Sequence, residues 1–150
     1  MFLHLLRNKK LQTIICMKWG DRYSSTFVNR LFKSINKYTN KKTQLICFTD
    51  KIQGIDKNII CHPLPKINLP EQISFTPWRK LSVWQYPLLD LEGDILFLDL
   101  DLVITGNLDR FFDYNPGKYC VIENWTQKSE DIGNTSCFRF PIEKFNKIFK

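Results

Sequence analysis

The stretch Asp94–Asp109, DILFLDLDLVITGNLD, decides the reading of this chain. Its first half is an almost unbroken apolar run, the pattern of a strand buried on both faces of a mostly parallel sheet. The spacing predicts a strand over Asp94–Leu100. Asp99 and Asp101 stand two apart where that run ends, and Gly106-Asn107 marks a turn shortly after. In an extended chain, residues two apart point the same way. Two carboxylates side by side repel unless a positive partner lies between them. A divalent cation with oxygen ligands is the usual partner, and Mn²⁺ or Mg²⁺ suits carboxylates shared with phosphate oxygens. Open α/β sheets also bind ligands at the carboxyl ends of their strands. The pair therefore points to a metal–phosphate site. A plainer alternative stays open, in which both acids simply shape a turn at a strand end.

Working outward, strands alternate with helices. Leu11–Trp19, Gln44–Thr49 and Asn58–His62 read as strands before the central one, and Lys118–Glu123 and Ser136–Phe140 as strands after it. Ser24 and Ser25 are placed to cap a helix reaching Tyr38, with Phe27, Leu31, Phe32 and Ile35 at helical spacing. Thr76-Pro77 resembles a helix start, with Leu81, Trp84 and Val83 expected inward through about Tyr86. A helical turn is expected near Leu108–Phe112, supported by Asp109, and an amphipathic segment with Phe145, Ile148 and Phe149 follows Pro141. This order predicts an α/β fold: a mostly parallel central sheet with helices on both faces, as one domain over residues 1–150.

The composition of the 150 residues agrees: 43% hydrophobic and 14% aromatic content builds a core and excludes a disordered polar tail. The net charge of +7 is uneven. Residues 1–75 hold 13 basic and 4 acidic groups, whereas residues 76–150 hold 9 and 11. The first half therefore favours an anion, and nucleic acid, a phosphorylated small molecule or an anionic membrane surface all fit that asymmetry. No run approaches the roughly 18–20 apolar residues of a membrane span. Phe2–Leu6 is too short for a secretory segment, so a cytoplasmic start is expected. The five cysteines form no CxxC pair and read as free thiols of a reducing compartment, with a zinc site or a disulfide set as the alternative. His4 and His62 have no partner at ligand spacing.

LFLDLDLVITGNLDRFF resembles the DxD region of the GT-A-type glycosyltransferases, nucleotide-sugar enzymes with a Rossmann-like sheet. The likeness extends along the chain from about residue 11 to 140. TIICMKWGDRYSSTFVNRLFKSI is similar to their first strand, nucleotide loop and first helix; QLICFTD to the second strand with its terminal acid; TPWRKLSVWQ to the helix before the DxD strand; and GNTSCFRF to the later strand beside the sugar. The resemblance implies that Asp101 is the principal ligand of Mn²⁺ or Mg²⁺, with Asp99 on the metal or the donor. It implies that Lys80 and Arg79 contact the donor sugar or phosphates, and that Asp50 lies near the base or ribose. Lys18, Trp19 and Gly20 would underlie the nucleotide, and Asn134, Thr135 and Ser136 would lie beside the transferred sugar. Each also has a structural reading: Arg79 and Lys80 as solvated helix charges, Asp50 as a strand end, Lys18–Gly20 as a turn, and Asn134–Ser136 as a strand start. Trp78, Trp84 and Trp125 suit core or rim, with a sugar platform open for Trp125.

The implied partners are a nucleotide-sugar donor and a glycan or glycolipid acceptor, with peripheral association to the inner face of an anionic membrane and no nucleic acid. The family commonly supplies a third metal ligand, often His, and its acceptor side from a segment after the matched region. The expectation is therefore a domain lacking its carboxy-terminal acceptor-side part. Two other readings remain. The DxD also fits the first motif of haloacid-dehalogenase-like phosphatases, with Asp99 as nucleophile and Asp101 as general acid. The basic first half also fits a binding module without enzymatic activity, although no nucleic-acid-binding pattern is present.

Overall fold

The computed structural model describes residues 11–74, 76–127 and 130–145. His4 and the expected apolar positions Ile148 and Phe149 lie outside the described residues. Six strands form one sheet: β1 (Gln12–Lys18), β2 (Thr43–Thr49), β3 (Ile60–His62), β4 (Asp94–Leu98), β5 (Cys120–Glu123) and β6 (Gly133–Pro141). Their order is β3-β2-β1-β4-β6-β5. The first four strands pair in parallel, with Ile14 opposite Leu45 and Ile15 opposite Phe97. β6 runs antiparallel to β4, and β5 antiparallel to β6. The sheet is thus mixed and mostly parallel. From β1 the chain builds outward to β2 and β3, then returns to place β4 on the other side of β1. Such a reversal leaves a crevice at the carboxyl ends of β1 and β4, where doubly wound sheets bind ligands.

Strand alternation sorts the core into two layers. On one face Ile14, Cys16, Leu45, Cys47, Leu96 and Leu98 pack under helices α1 (Ser25–Tyr38) and α2 (Asp109–Asp113). On the other, Ile15, Met17, Ile46, Phe48, Ile95, Phe97, Phe138 and Phe140 are covered by Val83 and Leu88. Helical cover therefore lies on both faces, as the strand–helix alternation predicts. β1 and β4 have neighbours on both sides and layers on both faces, which explains their near-continuous apolar sequences.

Several local expectations change. β4 ends at Leu98 rather than Leu100, so Asp99 and Asp101 sit beyond the strand in a turn. In α1 the fully buried positions are Val28, Leu31 and Ile35, while Phe27 and Phe32 are half-buried. The Thr76-Pro77 segment is a 3₁₀ helix over Pro77–Trp84, burying Ser82 and Val83, whereas Leu81 and Trp84 are half-buried. Ser82 Oγ donates to the Arg79 carbonyl at 2.8 Å, a local bond of the kind that competes with a longer helix. Tyr86 precedes Pro87, which disfavours helical backbone there, and Gln85 is already extended. Asp109 supports α2 as expected: its backbone N–H donates to Asn107 Oδ1, and its Oδ2 accepts the Asn40 N–H. All five cysteines are free thiols. Burial raises the Cys137 thiol to about 12.

Arg139, on β6, is completely buried. Its guanidinium donates to the carbonyls of Phe111, Tyr114, Asn115 and Lys118, gathering the loop between α2 and β5 around one cation. Gly133 opens the same strand where β5 bulges at Val121/Ile122. A Cβ there would lie 2.7 Å from Val121 Cγ1, so the close approach requires glycine.

Candidate functional site

A cleft of about 300 Å³ opens at the carboxyl ends of β1 and β4. Three segments build it. The loop after β1 supplies Trp19 to Tyr23, the turn after β4 supplies Asp99 to Asp101, and the 3₁₀ helix supplies Pro77 and Lys80. Asp99 is held by its backbone N–H, which donates to the Ser136 carbonyl at 2.9 Å and carries the β4–β6 ladder one step past the strand. Lys80 Nζ reaches Asp99 Oδ2 at 2.6 Å, stands 3.5 Å from the Thr135 carbonyl and rides 5.6 Å above the centre of the Phe97 ring. Burial pushes the Asp99 carboxyl above its ordinary value, partly offset by the Lys80 and Ser136 hydrogen bonds. Asp101 is exposed, and its Oδ2 accepts the Tyr23 hydroxyl at 2.7 Å. That bond is the main reason the Tyr23 phenol titrates above its ordinary value.

Among the residues singled out from sequence, Trp19, Gly20, Lys80, Asp99 and Asp101 line this one cleft. Lys18 does not: it is buried at the end of β1, in register with Thr49. Asp50 lies behind the loop, where its Oδ2 accepts the Gly20 N–H at 2.9 Å. Lys51 and Asp21 tie the same two loops at 2.5 Å. Gly20 has φ +61°, a left-handed backbone that favours glycine. Arg79 turns to the Ser74 carbonyl, 3.1 Å from its Nε, and is not part of the cleft wall. Asn134 Oδ1 accepts the Ser136 N–H, the local bond of a strand start. Thr135 borders a second, mostly apolar cavity of about 360 Å³ with Trp78, Trp84 and Phe138, on the far side of Lys80. Trp125 is exposed and away from both cavities.

Sequence reading missed Tyr23, Arg22 and Asp21, all in the cleft wall. The available signal was position alone, since they immediately follow the loop residues singled out. The reach from Tyr23 to Asp101 spans 78 residues and carries no local pattern.

The donor set fits a hard divalent cation. It offers two carboxylates, Asp99 beside Lys80 and Ser136 and Asp101 beside Tyr23, in a cleft roomy enough for phosphate oxygens to complete the coordination. Among the described residues no cluster of three or more His, Cys, Asp or Glu is placed to hold a metal. The fit is therefore to a cation shared between protein and ligand, not to a cage made by the protein alone. Among the described residues, no helix is long and apolar enough to cross a membrane.

No protein-family model matches the sequence. No curated protein sequence matches it either. Solved structures do match in fold. An active-site mutant of LgtC superposes with a TM-score of 0.67 at 14% identity, over 90% of this chain and 59% of that one. The galactosyltransferase LgtC in complex with donor and acceptor sugar analogues gives 0.63 at 15% identity, over the same shares of the two chains. The apo-form glycosyltransferase GlyE of Streptococcus pneumoniae TIGR4 gives 0.62 at 13%, over 93% of this chain and 36% of that one. This chain thus spans between about a third and three fifths of these proteins. Its fold is α/β of the GT-A, Rossmann-like kind, shared with solved glycosyltransferases.

Proposed function

We propose that this chain forms the donor-binding part of a glycosyltransferase that moves a sugar from a metal-bound nucleotide-sugar to a glycan or glycolipid acceptor. The observation that supports this best is the meeting of Asp99, Asp101 and Lys80 in one cleft, at the switch point of a glycosyltransferase fold. Asp101 is the principal ligand of Mn²⁺ or Mg²⁺, and Asp99 the second carboxylate beside it. When bound, the cation neutralises charge on the leaving nucleoside diphosphate. Lys80 adds a protein cation at the same place. Its ammonium is paired with Asp99 on the cleft wall, and it exchanges that partner for a donor oxygen as negative charge develops. Trp19 and Gly20 form the floor for the nucleotide, with Asp50 fixing the loop from behind and Lys18 and Arg79 acting at longer range. Asn134, Thr135 and Ser136 border the sugar on the Lys80 side.

The proposal extends to the chain as a domain completed by an acceptor side, and to peripheral contact with an anionic membrane. α1 supports the latter: it carries exposed Arg30, Lys33 and Lys37 and no acidic residue.

Calorimetric titration with UDP or GDP, with and without Mn²⁺, tests the reading. Metal-dependent nucleotide binding that is lost in Asp101→Ala is expected. A folded wild-type chain that binds neither nucleotide would overturn it. Hydrolysis of an aryl phosphate that disappears in Asp99→Asn would replace it with the phosphatase reading.

A further inference from the structure

We propose that Tyr23 is a positioning residue for the metal site, setting the Asp101 carboxylate through its hydroxyl; this deepens the reading above and rests on it. Asp101 lies in a turn, exposed to solvent, and an exposed aspartate there turns freely about both side-chain torsions unless something holds it. Among the described residues, the one hydrogen bond to its carboxylate comes from Tyr23, 2.7 Å from hydroxyl to Oδ2. The geometry of the phenol is itself fixed. Its ring meets Phe27 of α1 edge-on, with centroids 5.0 Å apart and planes at 67°. The Arg22 guanidinium lies 5.4 Å from the ring centre. Tyr23 and Phe27 both pack against the core layer beneath α1.

Position therefore passes from the core, through an aromatic pair, to one carboxylate oxygen, while the other remains without a protein donor among the described residues. Outer partners of this kind orient metal-binding carboxylates, and their loss commonly weakens metal affinity about 10–100-fold. Asp99 is set differently: beside a Ser136 hydrogen bond it has the cation of Lys80, which competes with a metal for the same carboxylate. Tyr23 is neutral and donates one hydrogen bond, so it orients Asp101 without supplying a competing charge.

Tyr23→Phe in the full chain keeps the ring and removes only the hydroxyl. Free Mn²⁺ is followed by electron paramagnetic resonance during titration with UDP or GDP present, alongside nucleotide affinity without metal and the thermal midpoint. The expected result is Mn²⁺ affinity about 10-fold weaker or worse, a larger fall than any in metal-free nucleotide affinity. In an Asp101→Ala background, Tyr23→Phe is expected to add nothing. Wild-type Mn²⁺ affinity in Tyr23→Phe overturns the assignment alone. A parallel fall in metal-free and metal-assisted affinity together with the thermal midpoint also overturns it, because a merely structural tyrosine behaves so. A wild-type chain that binds no Mn²⁺ overturns the metal reading and this assignment with it.

Discussion

Strand β4 has a carboxylate at its start, Asp94, and another just past its end, Asp99, and the two meet their cations in different ways. Their exposures are similar, 15% and 20%. The contrast lies in the cations. At the start, Arg139 is wholly buried, 3.9 Å from Asp94, and committed to four backbone carbonyls. Asp94 is also occupied by the Gly117 N–H at 2.8 Å. At the end, Lys80 is partly exposed and its short contact is with Asp99, on the wall of an open cleft. A planar fork that satisfies several fixed acceptors locks a loop, whereas an ammonium on a flexible stem is able to change partners. One end of the strand anchors the fold and the other is left available to a ligand.

Replacing Arg139 attacks the anchored end, and the largest effect is expected there. Arg139→Met fills similar space but strands the carbonyls it served. Removing one partner of a buried charged network commonly costs about 3–5 kcal/mol, and chemical denaturation should report a loss of that order. A loss as small as that of the open-end variants would erase the distinction between the two ends.

Gly20→Ala acts at the open end through the backbone alone. A Cβ would meet nothing within 4 Å, but φ +61° is left-handed. The expected cost is about 1–2 kcal/mol, with weaker nucleotide binding because the Asp50 contact to the Gly20 N–H shifts. An unchanged denaturation midpoint would mean that the loop relaxes freely.

Asp99→Asn is expected to change stability by about 1 kcal/mol or less near neutral pH, the scale of a partly exposed pair. Its signature is the pH dependence. Burial raises the folded-state value of Asp99 above the unfolded one. Between those two values the folded chain binds more protons, so this group's contribution to stability falls as pH rises through the window. Asp99→Asn should remove that component, seen as a wild-type-minus-variant difference in stability that falls as pH rises through the window. An identical profile in both proteins would show that Asp99 titrates as an ordinary exposed acid.

The same contrast explains what was legible beforehand. β1, β2 and β4 were readable because burial on both faces writes continuous apolar runs, and the DxD was readable because two acids after such a run are conspicuous. Lys80 was reachable through its motif. Arg139 was hidden: alternation along Ser136–Phe140 puts Cys137 and Arg139 on one face, but nothing local says that four carbonyls from residues 111–118 will meet there. Tyr23 was hidden for the same reason, since its partner is remote. The 3₁₀ character of Pro77–Trp84 is not legible in the sequence, because capping and apolar spacing look alike for α and 3₁₀ turns, and the Ser82 back-bond and Pro87 decide between them. Lys18 ends β1 and Asp50 follows β2, and strand alternation and the Gly20 contact turn both away from the cleft wall.

The smallest effect is expected from the pair that looks strongest by distance. Lys51 and Asp21 meet at 2.5 Å across the loops behind the cleft, with side chains 53% and 88% exposed. Lys51 lowers the Asp21 carboxyl, and Asp21 in turn raises the Lys51 ammonium. A depressed carboxyl contributes stability above its unfolded value and loses it as pH falls through the folded one. A raised ammonium contributes below its unfolded value and loses it as pH rises through the folded one. Both windows lie far from neutrality, and water and salt screen the attraction between them. Lys51→Ala should therefore leave the neutral-pH denaturation midpoint unchanged within error at physiological salt. A clear loss that disappears on adding salt would show that the loop pair, and not only the Gly20–Asp50 contact, holds this side of the cleft in place.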